Sequence, residues 1–145
     1  VEALGAQEAE AVCCLYAAAP LVDPADLRRG LARLRAGARR YVFPVAPFPS
    51  PIRRALRRAE DGAVEMIDPA AFAMRSQDLE PAWHDAGQFY WARPSTWAED
   101  APIFGGGSIG LAIDPARAQD IDTEADWRLA ELKARMLAGG GPPEG

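Results

Sequence analysis

The sequence predicts an α/β domain, and three features of its first 45 residues predict it. Ala11 to Tyr16 (AVCCLY) is a short apolar run rich in strand formers, the kind expected of a parallel strand buried on both faces. Asp23-Pro24-Ala25-Asp26 opens a helix: Asp23 caps it, Pro24 suits its first position, Leu27, Leu31 and Leu34 share one face, and Gly37 ends it. Tyr41 to Val45 reads as a second strand, so strand, helix and strand form a right-handed parallel crossover.

The organisation then changes. From Pro44 to Pro51 four prolines in eight residues forbid regular structure, and Arg53, Arg54, Arg57 and Arg58 follow as a positive patch. Asp61-Gly62 is a turn signal between Leu56 and the apolar run Val64 to Ile67, which predicts a β-hairpin outside the sheet. Gly87 to Trp91 (GQFYW) returns to strand character, and Pro94 to Trp97 suits a short helix. Gly105-Gly106-Gly107 is a flexible loop before an alternating strand from Ser108 to Ile113. Thr123 with Asp126 three residues on forms a capping box for a last helix, with Trp127, Ala130, Ala134 and Leu137 on one stripe. The domain is expected to end at 138, and the tail 139–145 (GGGPPEG) has the composition of a disordered segment.

A chain of 145 residues can bury about 70% of its unfolded surface in one domain. With 21 Asp and Glu against 16 Lys and Arg, its surface is a poor general partner for nucleic acid. No stretch approaches the roughly 20 apolar residues that cross a bilayer, and no export signal is present, so a soluble, cytoplasmic protein is expected. Adjacent in a strand, Cys13 and Cys14 point to opposite faces and read as buried thiols in a reducing compartment. The chain begins at Val1, inside what reads as a helical or loop segment, and its natural N-terminus is expected upstream.

Three segments have chemical character. In Gln119-Asp120-Ile121-Asp122-Thr123, two carboxylates one residue apart project to the same side in an extended approach, an outline fit to Mg²⁺, which takes one or two carboxylates plus substrate phosphate. On spacing alone, helix-leading acids favoured by the macrodipole account for them better. His84 to Trp91 (HDAGQFYW) combines the single histidine with a carboxylate, an amide and aromatics, a mixture suited to a polar sugar with an apolar face. The competing reading packs Phe89 and Trp91 in the core and leaves His84 near a turn, without an acid–base role. The arginines either bind an anion bidentately or form a solvated face.

Four stretches together resemble the pseudaminic acid cytidylyltransferases: VCCLYAAAPLVDPADL from Val12, YVFPVAPFPSPIRRAL from Tyr41, RSQDLEPAWHDAGQFYW from Arg75 and QDIDTEADWRLAE from Gln119. The third is the most specific, because core packing does not require so long a polar and aromatic string. The resemblance is to the C-terminal two-thirds of such proteins. It implies the fold of the wider CMP-sugar synthetases, a three-layer α/β/α Rossmann-like nucleotide-diphospho-sugar transferase, here lacking its first strand and phosphate loop.

The resemblance also implies the chemistry: a sugar anomeric hydroxyl attacks the α-phosphate of CTP, giving CMP-sugar and pyrophosphate with Mg²⁺ present. Asp120 and Asp122 match the paired aspartates used for Mg²⁺, which reverses the preference for helix-leading acids. Gln88, Phe89 and Tyr90 match the strand lining the sugar pocket, and Arg75, Ser76, Gln77, His84 and Asp85 lie in the string that sets this family apart. In such a pocket Phe89, Trp91 and Trp83 would bury the methyl end of pseudaminic acid. The excursion 52–85 matches the region through which these synthetases dimerise, which implies a homodimer. Its expected partners are therefore CTP, a nine-carbon acidic sugar and a second copy of itself.

The chain departs from the family at Ala18, where Thr is usual, at Arg53, where Gln is commoner, and at Ser50, where an aromatic is common. It also lacks the P-A-R-x-G-S-K segment that grips the triphosphate, without which turnover is not expected. Two other readings stand beside the enzyme: a non-catalytic remnant that binds sugar or dimerises with a complete paralogue, and a CMP-N-acetylneuraminate synthetase.

Overall fold

The computed structural model describes residue 5, residues 8–38 and residues 40–139. The chain divides into two compact units, one of residues 1–46 with 85–145 and the other of residues 47–84. The second takes in nearly the residues of the expected excursion. Apart from Gly139, the expected tail lies outside the described residues.

In the larger unit the elements are β1 (Val12–Leu15), α1 (Pro24–Arg35), β2 (Val42–Pro47), β6 (Phe89–Ala92), α2 (Pro94–Ala98), β7 (Ile109–Ala112) and α3 (Glu124–Leu137). The smaller unit contributes β3 (Leu56–Arg58) and β4 (Val64–Met66), and β5 (Trp83–Asp85) runs from it back into the larger one. Helix α1 starts as its sequence dictates: the Asp23 carboxylate accepts the Ala25 N–H at 2.8 Å and Pro24 takes the first turn. The capping box of α3 forms between Thr123 and Asp126.

The fold is a mixed α/β protein, and the sheet differs from the expected parallel crossover. Strand β6 pairs antiparallel with β1, from Val12 opposite Ala92 to Leu15 opposite Phe89, and antiparallel with β2 at Val42 opposite Trp91. It is therefore inserted between two strands that run the same way. Strand β7 runs parallel to β2 on the other edge, from Val42 opposite Ile109 to Val45 opposite Ala112. β1 was expected to be buried on both faces. It is only half-buried, with Leu15 56% exposed, because among the described residues its sole partner is β6.

Period-two alternation divides the core between the sheet's faces. Phe89, Val42 and Leu111 pack with Leu34 and Ala38, joined by Cys13, Leu27 and Trp91. Tyr90, Ala92, Phe43 and Tyr41 pack together with Cys14, Val45 and Trp97. Cys13 and Cys14 thus fall on opposite faces as expected, and burial pushes the Cys13 thiol up to about 11. Polar tips within these clusters are satisfied: Trp91 Nε1–H donates to Leu27 O at 3.1 Å and Trp97 Nε1–H to Val12 O at 3.3 Å. Helix α3 buries only Ala130 of its expected stripe, and Trp127 is 52% exposed.

The smaller unit contains the expected hairpin. Leu56 lies opposite Met66 and Arg58 opposite Val64, and the turn rests on Gly62 at φ +91° with Asp61 accepting the Ala63 N–H. Its arginines are largely paired, Arg53 with Asp68 at 2.8 Å and Arg57 with Glu65 at 2.6 Å. Ala71 and Leu79 are buried, while Leu56, Val64, Ile67 and Phe72 are exposed.

Candidate functional site

The turn between β5 and β6 builds the first half of the site. Gly87 sits at φ +62°, a conformation that costs glycine little, and the chain there folds back on Asp85. One Asp85 oxygen accepts the Gly87 N–H at 3.1 Å and the other accepts the Tyr90 hydroxyl in a short hydrogen bond. The Tyr90 ring lies 5.2 Å from Tyr16 and 5.9 Å from Phe43. Burial, then the Asp85 carboxylate, pushes the Tyr90 hydroxyl above its ordinary range, so it remains a donor.

The loop before α3 builds the second half. Arg117 reaches Asp23 at 3.3 Å, its carbonyl accepts from Gln88 Nε2 at 2.6 Å, and the next carbonyl, of Ala118, accepts from Lys133 Nζ at 2.8 Å. Asp120 Oδ1 accepts the Ile121 N–H at 3.0 Å, while a β-carbon at Gly87 would stand 4.0 Å from Asp120 Oδ2. Asp122 follows, its N–H donating to Asp126 at 3.3 Å. Both aspartates are exposed, and Ile121 between them helps line an apolar cavity of 140 Å³ with Leu21, Trp127 and Ala130.

Among the described residues no group of three or more His, Cys, Asp or Glu converges as a complete metal cage. Two exposed carboxylates one residue apart fit Mg²⁺ nonetheless, because that ion is ordinarily held by one or two protein carboxylates and completed by water and substrate phosphate.

The structure separates the residues singled out from sequence. Asp85, Gln88, Tyr90 and Asp120 meet around Gly87, with Asp122 two residues further on. Phe89 is 0% exposed and packs against α1, since it points to the face opposite Tyr90; its side chain fills the core and does not line a pocket. Trp91 shares that face. Gln88 is 1% exposed, so its amide serves the protein's own backbone. Arg75, Ser76, Gln77 and His84 belong to the 47–84 unit. There Arg75 pairs with Asp78 at 2.9 Å, Ser76 and Gln77 line a cavity of 270 Å³ with Phe48 and Ser50, and His84 sits 5.1 Å from the Phe48 ring.

Two residues not picked from sequence join the site. Tyr16, the last residue of the first apolar run, is 47% exposed beside Tyr90, and its N–H donates to Gln88 O at 2.9 Å. Its place at the end of a predicted strand was the available signal. Arg117 had none, because its partner Asp23 is distant in sequence.

No protein-family model matches the chain. Curated relatives do. Two proteins named pseudaminic acid cytidylyltransferase, from two strains of Campylobacter jejuni, are each 36% identical over 121 residues, covering 83% of this chain and 52% of the relative. A Helicobacter pylori protein named pseudaminic acid cytidylyltransferase and UDP-2,4-diacetamido-2,4,6-trideoxy-beta-L-altropyranose hydrolase is 30% identical over 134 residues, 92% of this chain and 26% of that protein. The chain thus spans about half the length of the Campylobacter relatives it matches. Over most of its own length the chain shares 30–36% identity with curated homologues named pseudaminic acid cytidylyltransferase.

Proposed function

We propose that this chain is the acceptor-sugar side of a cytidylyltransferase that transfers CMP from CTP to pseudaminic acid and releases pyrophosphate, built on the three-layer nucleotide-diphospho-sugar transferase fold. The observation that carries the reading is convergence. All four stretches of family resemblance meet at residues 85–90: Tyr16 N–H bonds Gln88 O, Ala86 N–H bonds Pro44 O, and Gln88 and Gly87 approach the loop carrying Arg117 and Asp120. Core packing alone does not require the polar members of that set.

In this reading Asp85, oriented by Tyr90 and Gly87, accepts a sugar hydroxyl, and the exposed Tyr16 ring covers an apolar face of the sugar. Asp120 and Asp122 hold the divalent cation, and Mg²⁺ there would neutralise charge on the phosphates of CTP. Arg75, Ser76, Gln77 and His84, which belong to the smaller unit, are the other residues of that stretch assigned to sugar recognition. That unit also carries the homodimer contact, a role supported by its exposed Leu56, Val64, Ile67 and Phe72. The two free cysteines are consistent with a cytoplasmic location.

The direct test is binding. Saturation-transfer NMR with pseudaminic acid should show contact with the chain that Asp85→Ala removes, while CMP-sugar formation is followed in the protein as encoded. Absence of both sugar contact and CMP-sugar formation would overturn the reading.

A further inference from the structure

We propose that Gln88 is a positioning residue whose buried amide clamps the Arg117 carbonyl and so holds the loop that presents Asp120 beside Gly87, with Asp122 two residues further on. The inference rests on the cation reading of those aspartates and adds to it the device that sets their place.

Gln88 is 1% exposed in the bend immediately before β6, a depth of burial at which a hydrocarbon would ordinarily pack. Its Nε2 donates to Arg117 O at 2.6 Å, which fixes the amide's orientation, because the reverse would set two oxygens against each other. Its Oε1 is buried without a hydrogen-bond partner in the protein, a cost accepted at this position and not explained by packing. The residue clamped is the root of the acidic loop, three positions before Asp120. Two further ties act on the same root: the Arg117 guanidinium on Asp23, which caps α1, and Lys133 of α3 on Ala118 O. The residue before β6, the cap of α1 and Lys133 of α3 thus converge on two consecutive residues, while Asp120 and Asp122 themselves remain exposed. Such an arrangement holds ligands in place without contacting the ion, and the loss of an outer partner of this kind typically weakens metal affinity about 10- to 100-fold.

The test compares Gln88→Met, which keeps length and removes the donor, with Asp122→Asn in the protein as encoded. Mn²⁺ alone is the probe, read by the loss of its free EPR signal, and amide hydrogen exchange is followed across 117–122. Gln88→Met is expected to weaken Mn²⁺ binding about tenfold and to speed exchange in that loop, with exchange in α1 and β2 unchanged. Wild-type Mn²⁺ affinity in Gln88→Met, where Asp122→Asn abolishes it, overturns the positioning role and leaves the cation reading intact. Should Asp122→Asn bind Mn²⁺ normally, the cation reading fails, and wild-type exchange at 117–122 in Gln88→Met then overturns the clamp as well. If Gln88→Met does not fold, Lys133→Met provides the same pair of readouts at the neighbouring tie, and wild-type values there count against the proposal.

Discussion

The Tyr90 hydroxyl donates to the carboxylate of Asp85 five residues before it, across the turn of residues 86–88 in which Gly87 takes a positive φ. A hydrogen bond to a charged acceptor contributes about 1.5–3 kcal/mol. Tyr90→Phe keeps the ring in its cluster and removes the hydroxyl that makes this bond, so the urea midpoint should fall by the equivalent of about 1–2 kcal/mol. On the proposed reading, affinity for the sugar should fall with it, since Asp85 loses a contact that orients it. An unchanged midpoint would show that the bond contributes nothing to stability.

Asp122→Asn in the protein as encoded is expected to abolish cation-dependent CMP-sugar formation with the fold retained, because the side chain is exposed. Asp120→Asn should be severe but less so. Turnover by Asp122→Asn within a few-fold of wild type removes the cation assignment.

Gly30 sits within α1, where alanine would ordinarily gain about 1 kcal/mol of helix propensity. A β-carbon there would stand 2.8 Å from Trp91 Cδ1 and 3.0 Å from Phe89 Cε2. Neither ring can give way easily: Trp91 is held by its bond to Leu27 O, and Phe89 is fully buried. Overpacking of about 1–3 kcal/mol therefore outweighs the gain, and Gly30→Ala should lower the thermal midpoint. A raised midpoint would mean that α1 can move off the sheet.

The α3 cap titrates. The Thr123 hydroxyl and backbone N–H hold the Asp126 carboxyl below the usual carboxylate range. A carboxyl depressed in the folded state contributes stability above its unfolded pKa and loses it as pH falls through the folded value. The stability difference between wild type and Asp126→Asn should thus be present at neutral pH and vanish under acid conditions. A difference independent of pH would place the effect in packing.

On the proposed reading, the protein as encoded is expected to prefer pseudaminic acid over N-acetylneuraminate. Burying a glycerol hydroxyl where a methyl group belongs costs on the order of 1–3 kcal/mol, or roughly 5- to 150-fold in kcat/KM with CTP saturating. With Phe89 and Trp91 facing α1, the apolar contact falls to Tyr16, so Tyr16→Ala should narrow the preference. Equal turnover of both sugars discards the sugar assignment and leaves cytidylyl transfer standing.

What could be read in advance follows the range of the forces involved. Asp23-Pro24, Asp61-Gly62 and the Thr123–Asp126 box act within four residues, and each formed where the sequence placed it. The antiparallel insertion of β6 was invisible, because GQFYW marks a strand without naming its neighbour. Phe89 and Tyr90 could not be told apart for the same reason: which alternate face meets α1 is settled only once the sheet is assembled. The spacing of Asp120 and Asp122 was legible, whereas the place of Asp120 near Gly87 depends on a residue more than thirty positions away.

The insertion of β6 also sets the order in which the chain can acquire structure. Strands β1 and β2 are separated by one short helix and leave the ribosome almost together, yet β1 has no described partner until Val12 meets Ala92. Among the described residues, the AVCCLY run finds a strand partner only when the hairpin segment has been synthesised and its ends drawn together. Long-range closure of this kind slows folding and leaves the nascent chain exposed to aggregation for longer. The early strand must wait for the late one.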